Sequence, residues 1–194
     1  QVWIPSINST SALAWYLQFG PQSVKRISYA ASFDRTVDEA EFKHLYDFLH
    51  KFTAVSVREY NALDYCLRAG VDKAKLVLDP TLLVAKDVYR HFIKKEFTAK
   101  PYLFLCYINV MDKDDVSWNQ IEAFLIEKNL ELRTVSSSGY YPAFDLVPGH
   151  DNLLLTISEW INSIYNAEYI VTTSFHGVAF AIIMHRPFVA ILLK

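Results

Sequence analysis

His176 is the residue of this chain best placed to do chemistry. It stands in Val171-Thr172-Thr173-Ser174-Phe175-His176-Gly177, between an apolar strand pattern (Tyr169, Ile170, Val171) and an apolar helical stretch from Val178 to Met184. A further apolar strand pattern, Phe188 to Leu193, follows directly. That order is a strand–turn–helix–strand unit. In open parallel sheets, ligands bind beyond the carboxyl ends of the strands, close to helix N-termini. An imidazole there is a candidate acid–base group, although the same spacing suits a histidine that only caps the helix or fills a polar gap. Arg58 is the second candidate. It lies in Val55-Ser56-Val57-Arg58-Glu59, where a strand pattern passes into a helical one. A guanidinium at that edge can hold a carboxylate or phosphate through paired N–H bonds, and its plainer reading is an ion pair with Glu59 or another surface carboxylate. Asp79-Pro80-Thr81 also sits just past a strand pattern. Alone it reads as a turn, with proline fixing φ and the aspartate bonding the local backbone.

Other chemistries find little support. The five glycines make neither a G-x-G-x-x-G nor a P-loop, so the dinucleotide and nucleoside-triphosphate fingerprints are absent. His44 and His50 are six positions apart on a charged amphipathic pattern and read as surface residues, while His91, His150 and His185 occur singly. Cys66 and Cys106 lie in apolar surroundings without C-x-x-C or Cys/His spacing, and read as reduced core thiols. Neither a metal nor a cofactor is expected. With 19 basic and 21 acidic residues the formal net charge is -2, so the composition gives no nucleic-acid footprint. No apolar run approaches the roughly 20 residues that cross a bilayer.

The elements that must position His176 and Arg58 follow from periodicity. The chain is 194 residues long, 52% hydrophobic and 21% charged, which suits a well-buried α/β protein. Strand patterns at 26–31, 54–57 and 75–78 alternate with helical ones from Asp38 to Phe52 and from Glu59 to Leu67, the latter stopped by Gly70. On the first helix Phe42, Leu45, Phe48, Leu49 and Phe52 share a face. Asp87 to Lys100 is charged, ends at Pro101 and reads as a linker, giving domains 1–88 and 89–194. A second set follows: strands at 102–108, 130–135 and 168–172, helices from Val116 to Asn129 and from Thr156 to Ala167. The last helix is capped by Thr156 or Ser158, with Ile157, Trp160, Ile161 and Ile164 inward. Ser136 to Gly149 is rich in serine, glycine and proline and reads as a surface loop. Strands alternating with helices imply parallel βαβ units, hence an α/β fold of two doubly wound halves. The chain starts at Gln1 without methionine and stops at Lys194 right after a strand pattern, so a fragment of a longer protein is expected.

Five of these segments together resemble the polysaccharide pyruvyl transferase family. They are Ile27-Ser28-Tyr29-Ala30-Ala31-Ser32-Phe33, Val55-Ser56-Val57-Arg58-Glu59, Leu78-Asp79-Pro80-Thr81-Leu82-Leu83, Glu159-Trp160-Ile161 and Ser174-Phe175-His176-Gly177, in that order. Gln1-Val2-Trp3 is similar to the end of a further family segment, so the resemblance spans essentially the whole chain. It implies transfer of the enolpyruvyl-derived group of phosphoenolpyruvate to hydroxyls of a sugar in a polysaccharide or lipid-linked repeat unit, usually as a cyclic ketal, with release of phosphate. It also implies two Rossmann-like parallel-sheet halves resembling the glycosyltransferase type B architecture, with the active site between them. On that plan the chain holds the later part of the N-terminal half and most of the C-terminal half.

The residue roles implied are specific. His176 matches the motif histidine and would be catalytic. Arg58 would bind one anionic end of the donor, while Thr173, Ser174 and Gly177 would line the binding turn. Thr173 stands where many relatives carry aspartate, Asp34 where glycine is usual, and Ser174 where other branches carry arginine. In those branches a phosphate-binding role of that arginine would pass here to Arg58, Arg186 or a residue outside the chain. Localisation is expected to be cytoplasmic, from the thiols and the donor, with room for loose attachment at a membrane surface. Two alternatives compete: a nucleotide-sugar glycosyltransferase of similar fold, and a non-catalytic sugar-binding module using Gly139-Tyr140-Tyr141-Pro142.

Overall fold

The computed structural model describes residues 3, 14–33, 37, 39–94, 100–110, 115–136 and 152–193. Asp34, the Gly139–Pro142 segment and most of the 136–149 loop lie outside the described residues. The chain forms two compact units, Gln1–Leu83 and Val84–Lys194.

Unit 1 carries a parallel sheet of β1 (Ile27–Ala31), β2 (Ala54–Val57) and β3 (Lys75–Leu76), in that spatial order. Helix α1 (Glu39–Leu49) lies between β1 and β2 in sequence, and α2 (Tyr60–Arg68) between β2 and β3. The expected inward face of α1 is real: Leu45 and Leu49 are fully buried, with Phe42, Phe48 and Phe52 packed against the same cluster. Gly70, at φ +75°, takes the left-handed position that ends α2 without a Cβ penalty. Strand β3 is shorter than its apolar run. Val77 still donates to Val57 O, but Leu78 is exposed and the chain turns into a 3₁₀ helix, Pro80–Leu83.

The β1–β2 register shifts between Ser28 and Ala31, where Ala30 adopts φ +52°. Ser56 holds the irregularity: its hydroxyl donates to Ser28 O (3.0 Å) and accepts from Ala30 N–H (3.1 Å). A bulge of this kind re-aims the residues that follow it.

Unit 2 opens with a 3₁₀ helix over Lys86–Phe92, which overlaps the start of the Asp87 to Lys100 stretch read as a linker. Its sheet comprises β4 (Tyr102–Tyr107), β5 (Glu131–Ser136), β6 (Tyr169–Thr172) and β7 (Phe188–Ala190), ordered β5-β4-β6-β7 and wholly parallel. Every residue of β4 is buried because the sheet is covered on both faces. Tyr102, Phe104 and Cys106 face a cluster with α4 (Ile157–Asn166) and α5 (Phe175–Ile183), whereas Leu103, Leu105 and Tyr107 face one with α3 (Trp118–Lys128). Thr156 is the α4 cap, in a reciprocal capping box with Glu159. Ile161 and Ile164 point inward as expected, but Ile157 is 78% exposed, because the first turn projects ahead of the buried residues. Strand β7 is also exposed along its length, so its apolar run does not mark a buried strand here.

Candidate active site

The strand order of unit 2 creates a switch point. The chain leaves β4 to one side for β5, then returns to the other side of β4 for β6. Crevices at the carboxyl ends of such strands are where open α/β sheets take ligands. Thr173, Ser174 and His176 follow β6 at that edge, next to Ile108 at the end of β4.

Three hydroxyls build the turn. Thr172, fully buried, donates to Cys106 O (2.7 Å) and accepts from Ser174 N–H (3.0 Å). Thr173 ties β6 to β4, accepting from Ile108 N–H (2.7 Å) and donating to Ile108 O (3.0 Å). Ser174 is the N-cap of α5 and accepts from Gly177 N–H (3.3 Å). Gly177 is required by contact: a Cβ there would lie 2.2 Å from Thr172 Oγ1. The first turn of α5 therefore rests directly on the last residue of β6. His176 falls in that turn and is exposed, with its ring edge-on to Phe175 at 5.3 Å between centroids. The imidazole is not enclosed in a dry interior, and it sits at the end of the helix that favours negative charge. Arg186 precedes β7, so in a parallel sheet it belongs to the opposite, amino edge and cannot share this turn.

Unit 1 presents a second constellation at the carboxyl edge of its own sheet. Arg58, directly after β2, donates from Nε to Glu59 Oε1 (3.0 Å) and from Nη1 to Asp79 Oδ2 (2.5 Å). Ser32, just past β1, donates to Glu59 Oε1 (2.6 Å). Asp79 Oδ1 accepts from both the backbone N–H (3.0 Å) and the hydroxyl (2.7 Å) of Thr81. Burial pushes the Asp79 carboxyl up, but the Thr81 bonds and the Arg58 charge outweigh it and hold the group below the ordinary aspartate range. The Arg58–Glu59 pair read from the sequence is thus present, and Asp79 joins it. The Asp79-Pro80-Thr81 turn is also formed, but the spacing gave no sign that its carboxylate meets a guanidinium. Ser32 and Thr172 had no signal of their own. Among the described residues no three His, Cys, Asp or Glu side chains gather as metal ligands would, and no helix is long and apolar enough to cross a membrane.

The family model for polysaccharide pyruvyl transferase matches residues 6–193. No curated protein matches the chain. Among solved structures, one from Listeria monocytogenes, provisionally described as a UDP-N-acetylglucosamine 2-epimerase, is similar with a TM-score of 0.52 at 15% identity. The similarity covers 93% of this chain and 54% of that one, so this chain spans little more than half of that protein's length. At such identity the likeness shows the fold alone, Rossmann-like halves of the glycosyltransferase type B class.

Proposed function

The chain belongs to the polysaccharide pyruvyl transferase family, and from that premise we propose that it moves the pyruvyl group of phosphoenolpyruvate onto hydroxyls of a sugar in a polysaccharide or lipid-linked repeat unit, as a ketal. The observation that supports this reading most is the exposed His176, in the first turn of α5 at the switch point of its sheet. In the reaction, a proton is delivered to the methylene carbon of the enol phosphate. The adjacent carbon becomes oxocarbenium-like and a sugar hydroxyl attacks it, losing its proton. The carbon–oxygen bond to phosphate then breaks, and a second hydroxyl adds to the carbon so freed, losing its proton and closing the ketal. Of the two hydroxyl protons, one makes good the proton given to the methylene carbon and the other leaves with the phosphate. Such a step needs an acid that titrates near neutrality, which a histidine provides. His176 is assigned that role, with Thr173, Ser174 and Gly177 forming the turn that receives the donor and Arg58 binding its anionic end.

His176→Ala is expected to lower phosphate release from phosphoenolpyruvate by roughly 10²–10⁴ while the thermal melt stays as in the parent. Undiminished release would remove His176 from the mechanism. Against the nucleotide-sugar alternative, Glu168 immediately precedes β6, at the amino edge, where it cannot serve a ribose bound at the carboxyl ends. A cytosolic location follows from the donor under this reading.

A further inference from the structure

We propose that Asp79 is the positioning residue of Arg58: its carboxylate, locked in place by Thr81, sets the guanidinium in the orientation that meets the donor's anionic end. The proposal rests on the assignment of Arg58 above. An arginine side chain has four rotatable bonds, and a planar fork is useful to an anion only when the plane is fixed in advance. Among the described residues, two carboxylates from different parts of the chain hold it. Glu59 is the sequence neighbour of Arg58 and is 30% exposed, whereas Asp79 arrives from beyond β3 and its side chain is 3% exposed. Asp79 therefore anchors the guanidinium to the sheet and not merely to its own turn. Arg58 is itself 11% exposed, so the pair is a largely buried one, and without Asp79 the guanidinium would rely on the more exposed Glu59.

The division of labour between the two carboxylate oxygens carries the argument. Oδ1 makes both bonds to Thr81, and those suffice for the turn. A turn alone would accept asparagine, whose Oδ1 can take the same two bonds. The second oxygen has a different partner, Arg58 Nη1 at 2.5 Å. Rotating the carboxylate away would break three hydrogen bonds together, so Thr81 holds Asp79 and Asp79 holds Arg58.

Asp79→Asn separates the roles, because it retains an acceptor for Thr81 and presents an amide N–H₂ to the guanidinium. In the intact protein it is expected to raise KM for phosphoenolpyruvate about tenfold or more, with kcat within about threefold, as for loss of a charge-assisted hydrogen bond. Arg58→Lys should raise the same KM, and the double variant should be no worse than Arg58→Lys alone, since both changes remove one arrangement. Should Asp79→Asn fail to fold, Thr81→Val takes its place, with a KM rise of a few-fold and the same lack of additivity. An unchanged KM in the Asp79 and Thr81 variants beside a raised KM in Arg58→Lys, or effects that multiply, overturns the proposal and leaves the role of Arg58 standing. A wild-type KM in Arg58→Lys, or no turnover of phosphoenolpyruvate by the parent, overturns the assigned function, and the positioning role with it.

Discussion

Burial pushes the Cys66 thiol up to about 12, so near neutrality it keeps its proton and is a poor nucleophile. Cys106 is raised by burial as well, against the opposing effect of hydrogen bonds involving Trp160 and Thr172. In native protein a thiol-specific reagent at about pH 8 is therefore expected to label neither cysteine at a measurable rate, and both after denaturation; rapid native labelling of Cys66 would show that its surroundings open. The inert thiols were legible from the apolar residues around them. The place of His176 was legible too, because a residue between a strand pattern and a helix pattern falls at the carboxyl edge of a parallel sheet, although that spacing alone suits a helix cap as well. Asp79 was half legible. Its bond to the local backbone is a short-range matter that Pro80 and Thr81 advertise, but its bond to Arg58 joins residues 21 positions apart and depends on β2 and β3 pairing.

The elements obey local rules where the deciding contacts are local. The Thr156 cap, one of the two the spacing offers, and the Gly70 stop are sequence-near devices, and both formed; the reciprocal bond from Glu159 was not read from the spacing. The lengths of β3 and β7 are not local, since pairing and not apolar content decides where a strand ends. The seat of α5 on β6 is likewise tertiary. Gly177 has an ordinary helical place, and only the approach of Thr172 reveals why a side chain is excluded. Gly177→Ala is expected to cost about 1–3 kcal/mol in a urea melt, as overpacking does. It should also impair catalysis beyond that loss, because the turn bearing His176 must lift off β6. A melt like that of the parent would mean that the helix tolerates the shift.

At the scale of the molecule, each unit has an apolar cluster of its own: one around Leu45, Leu49, Val57 and Cys66, the others flanking β4. Chains with separate cores need not unfold in one step. Calorimetry is expected to give a van't Hoff enthalpy below the calorimetric one, and equality of the two would show a single cooperative unit. By itself the sequence determined the α/β class, the alternation of elements, the family and the identity of the titratable residue at the strand–helix turn. These follow from hydrophobic period, turn chemistry and short motifs, each written within a few neighbouring positions. Only tertiary structure decided that β4 lies between β5 and β6, which makes the Thr173–His176 turn a switch-point turn, and that Asp79 meets Arg58. Strand order and the partners of a buried charge are set by which distant segments pair, and no local window of the chain contains both members of the pair.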